Sequence, residues 1–187
     1  DEAVRGPLVV PVYAAAVVLP KHFYHPLLKD SKKLTADQRD MMREIIEKEA
    51  IAWSVASCSA EEIDQMNILR ASITAMHRAL DGLFASHSER QRRIFPSGTL
   101  AVGSFGLLPQ DDESSHSERQ RRISPNDEHY ALLIDGNRFL KYKDLPHKCI
   151  VKGDAKVPAI SAAYILAKPH REEYIQAIDQ ESPHSGW

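Results

Sequence analysis

The sequence predicts a single α/β domain built on a mixed β-sheet with helices packed against it. Residues 7–19 form a nearly continuous apolar run, which is typical of a strand covered on both faces. Two capping boxes, Thr35 with Gln38 and Ser59 with Glu62, predict the starts of two helices. From there to the end of the chain, strand-like runs alternate with helical patterns, and this alternation indicates the α/β class.

The individual elements follow from local patterns. Pro11 predicts a break or an edge within the first apolar run. A helix is expected from Ala36 and a strand over 51–58. Asn67 is expected to cap a longer helix with one apolar face formed by Leu69, Ile73, Met76, Leu80 and Leu83. Further strands are predicted at 130–134 and 148–152, and a last helix is predicted from about Pro158.

Residues 86–128 interrupt this plan. The nonamer SHSERQRRI occurs at 86–94 and again at 115–123, with a Gly- and Ser-containing stretch between the copies. Two polar copies lack the buried face that a repeat protein needs. The pattern therefore predicts a duplicated, mobile surface insertion in the single domain spanning 1–187. Its RQRR runs favour a solvated basic loop over a nucleic-acid motif.

Length and composition narrow the class of protein. With 187 residues, 43% hydrophobic residues and a net charge of -2, the chain has no overall basic character, so a nucleic-acid surface would have to be local. Cys58 and Cys149 are expected to be reduced. The lack of a membrane-spanning run or signal peptide leads us to expect a cytoplasmic protein. Both termini suggest that the domain is truncated at its two ends.

Four carboxylates stand out by their positions. Asp1 and Glu2 open the chain side by side, while Asp135 and Asp154 each follow an apolar, strand-like run. Ligand-binding groups in open α/β sheets lie at the carboxyl ends of strands, so these acids are expected at one sheet edge. Like charges gathered there need a cation, and hard oxygen ligands select Mg²⁺ or Mn²⁺ over zinc.

Basic residues lie close to these acids in the sequence. Two divalent ions about 4 Å apart could activate a water and stabilise a leaving oxygen, while lysines bind phosphate. The pattern predicts metal-assisted cleavage of a phosphodiester. The candidate phosphate-binding residues are Arg5, Lys32, Lys33, Lys152, Lys156 and Lys168.

Five collinear blocks resemble the motifs of bacterial ribonuclease HII, the type 2 ribonuclease H family. They are DEAVRGPL, DSKKL, the stretch AWSV…SAEEID…NIL…AM, LIDGNR and VKGDAKVPAISAAYILAK, and they cover essentially everything outside 86–128. The resemblance implies a ribonuclease H-like mixed sheet flanked by helices. It also implies cleavage of the RNA strand in RNA–DNA hybrids and at ribonucleotides embedded in duplex DNA. The products would carry 5′-phosphate and 3′-hydroxyl ends, and the chain would act as a monomer.

The same resemblance assigns roles to residues. Asp1, Glu2, Asp135 and Asp154 match the metal-binding, catalytic acids, with two Mg²⁺ or Mn²⁺ ions expected when substrate is bound. Arg5 and Gly6 match two positions of a loop that reads the 2′-hydroxyl of the ribonucleotide, which alone separates RNA from DNA locally. The remaining expected substrate-binding residues are Lys32, Lys33, Asn137, Lys152, Lys156 and Lys168.

Some positions depart from the family pattern. Val4 replaces the first glycine of the recognition loop, and Val10 replaces another glycine. Tyr164 stands where the family has a small residue. Pro169 lies where the family continues the last helix, so it is expected to break or kink that helix. The family's C-terminal segment, with a tyrosine that packs on the sugar, does not follow.

Three other interpretations are compatible with parts of the pattern. The chain could be an inactive family member or fragment that retains only nucleic-acid binding. It could be a different carboxylate–Mg²⁺ enzyme such as a phosphatase, although neither a nucleophilic Asp motif nor a P-loop occurs. Finally, Asp135 and Asp154 could be turn and capping residues without chemistry.

Overall fold

Five strands form one mixed sheet in the computed structural model, which describes residues 10–29, 31–87, 99–105 and 131–181. The strand order is β2-β1-β3-β4-β5. Strand β1 runs antiparallel to both β2 and β3, whereas β3, β4 and β5 are parallel. The strands are β1 (Val12–Val18), β2 (Ala52–Cys58), β3 (Thr99–Phe105), β4 (Ala131–Asp135) and β5 (His147–Ile150).

Four α-helices accompany the sheet, and their starts agree with the sequence. Both predicted capping boxes are formed, with Thr35 accepting from the Gln38 N–H and Ser59 from the Glu62 N–H. The Asn67 side chain accepts a hydrogen bond from the Arg70 N–H at 3.0 Å. The helices are α1 (Ala36–Glu49), α2 (Ala60–Met66), α3 (Ile68–His87) and α4 (Pro158–Glu181).

The sheet separates two apolar cores, because successive side chains of a strand point to opposite faces. Ala14 and Ala16 of β1 pack in the core that includes the buried face of α3. Ala15 and Val17 pack in the other core, together with α1 and α4. The α/β class predicted from the sequence is therefore confirmed, with helices covering both faces of the sheet.

The insertion contains part of this sheet. The expectation that 86–128 is a surface addition is wrong for Thr99–Phe105, which form the middle strand β3 between β1 and β4. In TLAVGSF apolar and polar residues alternate only weakly, and Gly and Pro lie on both sides of the segment. Its strand character therefore depends on long-range pairing rather than on local pattern. Helix α3 also extends into the insertion, to His87. The remaining residues of the segment lie outside the described part of the chain.

Pro169 does not end the last helix. Helix α4 continues from Pro158 through Pro169 to Glu181, so of the expected break or kink the break does not occur. Beyond the proline, two ion pairs join the second half of α4 to α1: Arg39 pairs with Glu172, and Arg43 pairs with Glu173 at 2.8 Å.

Replacing Val102 by proline should destabilise the protein, because it removes a backbone donor from the middle strand. The loss of a buried ladder bond costs about 1–3 kcal/mol, and a proline in a central strand is poorly tolerated. Urea unfolding followed by circular dichroism measures the change. Val102→Ala keeps the backbone donor and serves as the control. Equal unfolding midpoints for Val102→Pro and Val102→Ala would show that this segment lies outside the sheet.

Replacing Pro169 by alanine should stabilise the protein by about 1–2 kcal/mol. An interior helical proline costs roughly 3 kcal/mol. Part of that gain is offset, because the substitution removes packing around this buried ring. The matched control is Pro158→Ala, because Pro158 occupies the first helical position, where no donor is needed. Thermal and urea unfolding compare the two. A lower stability for Pro169→Ala would contradict the assignment of strain to this residue.

Candidate metal and nucleic-acid site

Asp135 is the last residue of β4, at the carboxyl end of the parallel part of the sheet. Its partner in β5 is Ile150, whose carbonyl accepts a hydrogen bond from the Gly136 N–H at 3.1 Å. The Gly153 N–H donates to Asp135 Oδ1 at 2.9 Å. The Asp135 carboxylate is thus fixed by the segment that follows β5.

Burial raises the pKa of the Asp135 carboxyl above its ordinary value. The hydrogen bond from the Gly153 N–H acts in the opposite direction and lowers the pKa. The Asp154 charge raises it again, and the Lys32 charge lowers it. A second carboxylate and a lysine ammonium therefore both lie within electrostatic range of Asp135.

Asp154 lies in a short 3₁₀ helix, Gly153–Ala155, that follows β5. Lys152 precedes it in the left-handed conformation with φ of 55°, which turns the chain back towards Asp135. The Asp154 side chain is 3% exposed, and its Oδ2 lies 3.4 Å from Lys32 Nζ. Its Oδ1 is buried and has no hydrogen-bond partner among the described residues.

Gly153 permits this close arrangement of the two acids. A Cβ at this position would lie 2.6 Å from Ile160 Cδ1 and 3.1 Å from Asp135 Oδ1. A side chain here would therefore crowd Ile160 and Asp135, whereas glycine lets the backbone N–H approach the Asp135 carboxylate. The neighbouring acid was predicted from the sequence, but this glycine was not, although the GD pair after a strand could have indicated it.

The donor set fits a hard divalent cation. Two carboxylates meet at one edge, and a buried carboxylate oxygen without a partner is unfavourable unless a cation or donor reaches it. Among the described residues, no group of three or more His, Cys, Asp or Glu side chains forms a candidate metal cluster. Of the four acids expected from the sequence, Asp1 and Glu2 lie outside the described residues, as do Arg5, Gly6 and Val4.

The expected substrate-binding residues that the structure describes lie mostly at the surface of this edge. Lys32 contacts Asp154 directly, and Lys156 Nζ donates to the Val151 carbonyl at 2.7 Å. Lys168 differs, because it pairs with Glu172 on its own helix at 3.4 Å. The substrate-binding roles of all six remain predictions. Lys33, Asn137 and Lys152 are exposed.

The burial of three further side chains was not expected from the sequence. The Ser31 hydroxyl, adjacent to Lys32, is buried and has no hydrogen-bond partner among the described residues, and the Ser161 hydroxyl of α4 is in the same condition. Tyr164 is 7% exposed. Burial raises the pKa of its phenol, and the nearby Asp154 charge raises it further. The bulky replacement at 164 is therefore accommodated inside the protein, close enough to Asp154 to sense its charge.

Comparisons with known proteins identify the family. A family model described as Ribonuclease HII matches residues 1–90. A protein named Ribonuclease HII from Bacteroides thetaiotaomicron is 45% identical over all 187 residues, which cover 72% of that relative. Another from Phocaeicola vulgatus is 44% identical over the same length, again covering 72% of the relative. The chain belongs to the ribonuclease HII family.

The family resemblance predicted from the five sequence blocks is thus confirmed, and membership makes the chain a ribonuclease H-type protein. A solved structure supports the fold alone. The ribonuclease H2 from Pyrococcus horikoshii OT3 superimposes with a TM-score of 0.60 at 23% identity, covering 98% of this chain and 75% of that one. No helix in the part of the chain that the structure describes has the length and apolarity needed to cross a membrane.

Replacing Gly153 by alanine should displace the Asp135 carboxylate and destabilise the protein by about 1–3 kcal/mol, the usual cost of overpacking. We also expect Mn²⁺ binding, measured by calorimetry, to weaken. Ala155→Ser changes an exposed residue of the same 3₁₀ helix and is the control. If Gly153→Ala matches wild type in both stability and Mn²⁺ affinity, the proposed need for a glycine here is wrong.

Proposed function

We propose that this chain is a metal-dependent endoribonuclease that cuts the RNA strand of RNA–DNA hybrids and cuts at ribonucleotides embedded in duplex DNA. The proposal rests on Asp135 and Asp154, which lie together at one sheet edge. Asp154 Oδ1 is buried there and has no hydrogen-bond partner among the described residues. In a ribonuclease HII family member, these are the positions expected to hold divalent cations.

Asp135 and Asp154 would hold Mg²⁺ or Mn²⁺ together with Asp1 and Glu2. When bound, two such ions would supply activation of the attacking water and stabilisation of the leaving oxygen. The protein's own contribution is to fix the acids, which is the role of the Gly153 N–H on Asp135 and of the turn at Lys152. The products would carry 5′-phosphate and 3′-hydroxyl ends.

The directions of the strands would allow Asp1 and Glu2 to reach this site. Strand β1 is antiparallel to β3, with Ala15 opposite Gly103, and β3 is parallel to β4, with Val102 opposite Ile134. The amino end of β1 therefore lies at the same sheet edge as Asp135. Two strand spacings, about 10 Å, separate the amino end of β1 from Asp135. A segment as long as the one before Val10 can span on the order of 25 Å.

The substrate would be held by groups around this edge. The exposed lysines 32, 33, 152 and 156 offer ammonium groups for phosphates near the scissile bond, with Asn137 beside Asp135 as a polar contact. Lys168 would have to leave its pair with Glu172 to take part. Arg5 and Gly6 would read the 2′-hydroxyl, which distinguishes ribonucleotides from deoxyribonucleotides. These local basic groups would supply the positive charge that binds the phosphates, although the chain as a whole is slightly acidic.

The direct test is cleavage of a labelled DNA duplex with one embedded ribonucleotide, in Mn²⁺ or Mg²⁺, resolved on a denaturing gel. We expect a single cut at the ribonucleotide and no cut in the all-DNA duplex. Asp154→Asn should reduce the rate at least about 100-fold, because it removes a ligand charge from the metal site. Asp144→Asn, at a fully exposed acid in the β4–β5 connection, should cleave like wild type.

A folded chain that fails to cut in either metal would contradict the proposal. If that chain still bound the hybrid with salt-dependent affinity, the alternative of a family member retaining only nucleic-acid binding would be supported instead. Equal cleavage by wild type and Asp154→Asn would indicate a contaminating nuclease or a different active site, and in either case the site described above would be wrong.

A further inference from the structure

A lysine ammonium already contacts the buried acid of the site. Lys32 Nζ lies 3.4 Å from Asp154 Oδ2, although the lysine side chain is 57% exposed and the aspartate side chain only 3%. The two residues come from two 3₁₀ helices that pack together, Ser31–Lys33 and Gly153–Ala155. The lysine thus extends from the surface onto a carboxylate that is otherwise closed off from solvent.

The Asp154 carboxylate needs such a cation. Burying an ionised carboxylate is unfavourable unless an opposite charge or several donors offset the lost hydration. Among the described residues, Lys32 is the cation that pairs with Asp154, and no hydrogen bond reaches Oδ1. The Lys32 charge also acts on Asp135, so one ammonium group serves both acids.

We propose that Lys32 is a built-in counter-ion that takes the electrostatic place of the divalent cation in the metal-free protein and competes with it for Asp154. This inference rests on the proposed function, since it assumes that Asp135 and Asp154 bind the metal. Lys32 stabilises the metal-free fold and lowers the affinity of the site for Mg²⁺ or Mn²⁺. It leaves Asp154 when the metal binds.

The exposure of Lys32 makes this exchange feasible. More than half of its side chain is in solvent, so its ammonium can move away from Asp154 without repacking the core. After release, the ammonium is next to the metal site and free to bind a substrate phosphate. One lysine would then act in both states, first on the acid and afterwards on the nucleic acid.

Calorimetric titration of the whole chain with Mn²⁺, without nucleic acid, tests the competition. Lys32→Met removes the charge and should bind Mn²⁺ roughly twofold to fivefold more tightly than wild type, the range expected for losing one partly exposed ion pair. Lys32→Arg keeps the charge and should stay near wild type. Lys48→Met removes an exposed lysine in the last turn of α1 and controls for the change in net charge.

Unfolding in urea with EDTA is a second measurement, and it does not depend on cleavage of nucleic acid. Lys32→Met should unfold at a lower urea concentration than wild type without metal, and Mn²⁺ should stabilise it more than it stabilises wild type. Lys48→Met should show neither change. Lys32→Gln is measured in parallel, so that a folding defect specific to the methionine variant does not decide the result.

Equal or weaker Mn²⁺ binding by both Lys32→Met and Lys32→Gln would overturn the counter-ion role. If wild type still bound Mn²⁺ and cut at the ribonucleotide, the proposed function would survive this result. Absence of Mn²⁺ binding in wild type and in all Lys32 variants would overturn both. Binding by the uncharged variants alone would support the competition strongly.

Discussion

The constraint on which this site depends is the proximity of two carboxylates, of which Asp154 is buried and Asp135 is partly buried. Asp154 is almost fully buried, and its charge opposes ionisation of Asp135. Such an arrangement is unfavourable in the absence of cations, and it is stable here because a backbone N–H and a lysine ammonium face the acids. The same electrostatic need would favour a divalent cation at this edge, which is the role proposed above for the two acids.

The sheet positions this acid pair. Because β4 and β5 are parallel neighbours, the segments that follow them emerge at one edge, and Gly153 lets them approach closely. Strand β3 completes the sheet between β1 and β4 even though it comes from the duplicated insertion. Residues 99–105 are therefore part of the framework that supports β4, and changes to this strand would act on β4, which ends in Asp135.

Much of this organisation could be predicted from local sequence patterns. The capping boxes at Thr35 and Ser59 and the positions of Asp135 and Asp154 depend on neighbouring residues, and they are as expected. Of the expected apolar face of α3, Met76, Leu80 and Leu83 lie in the core, whereas Leu69 is only partly buried. Strand β3 was missed because TLAVGSF carries no strong strand pattern and gains its conformation from partners distant in the sequence. The break predicted at Pro169 does not occur, and α4 contacts α1 beyond the proline through residues that are distant in the sequence.

The proposed metal site is tested most directly by crystallising the chain with Mn²⁺ and locating the metal by its anomalous scattering. We expect an anomalous peak next to Asp135 and Asp154, with Oδ1 of Asp154 as one ligand and with Lys32 turned away from Oδ2. An ordered chain without an anomalous peak at this edge, or with Mn²⁺ bound only elsewhere, would contradict it.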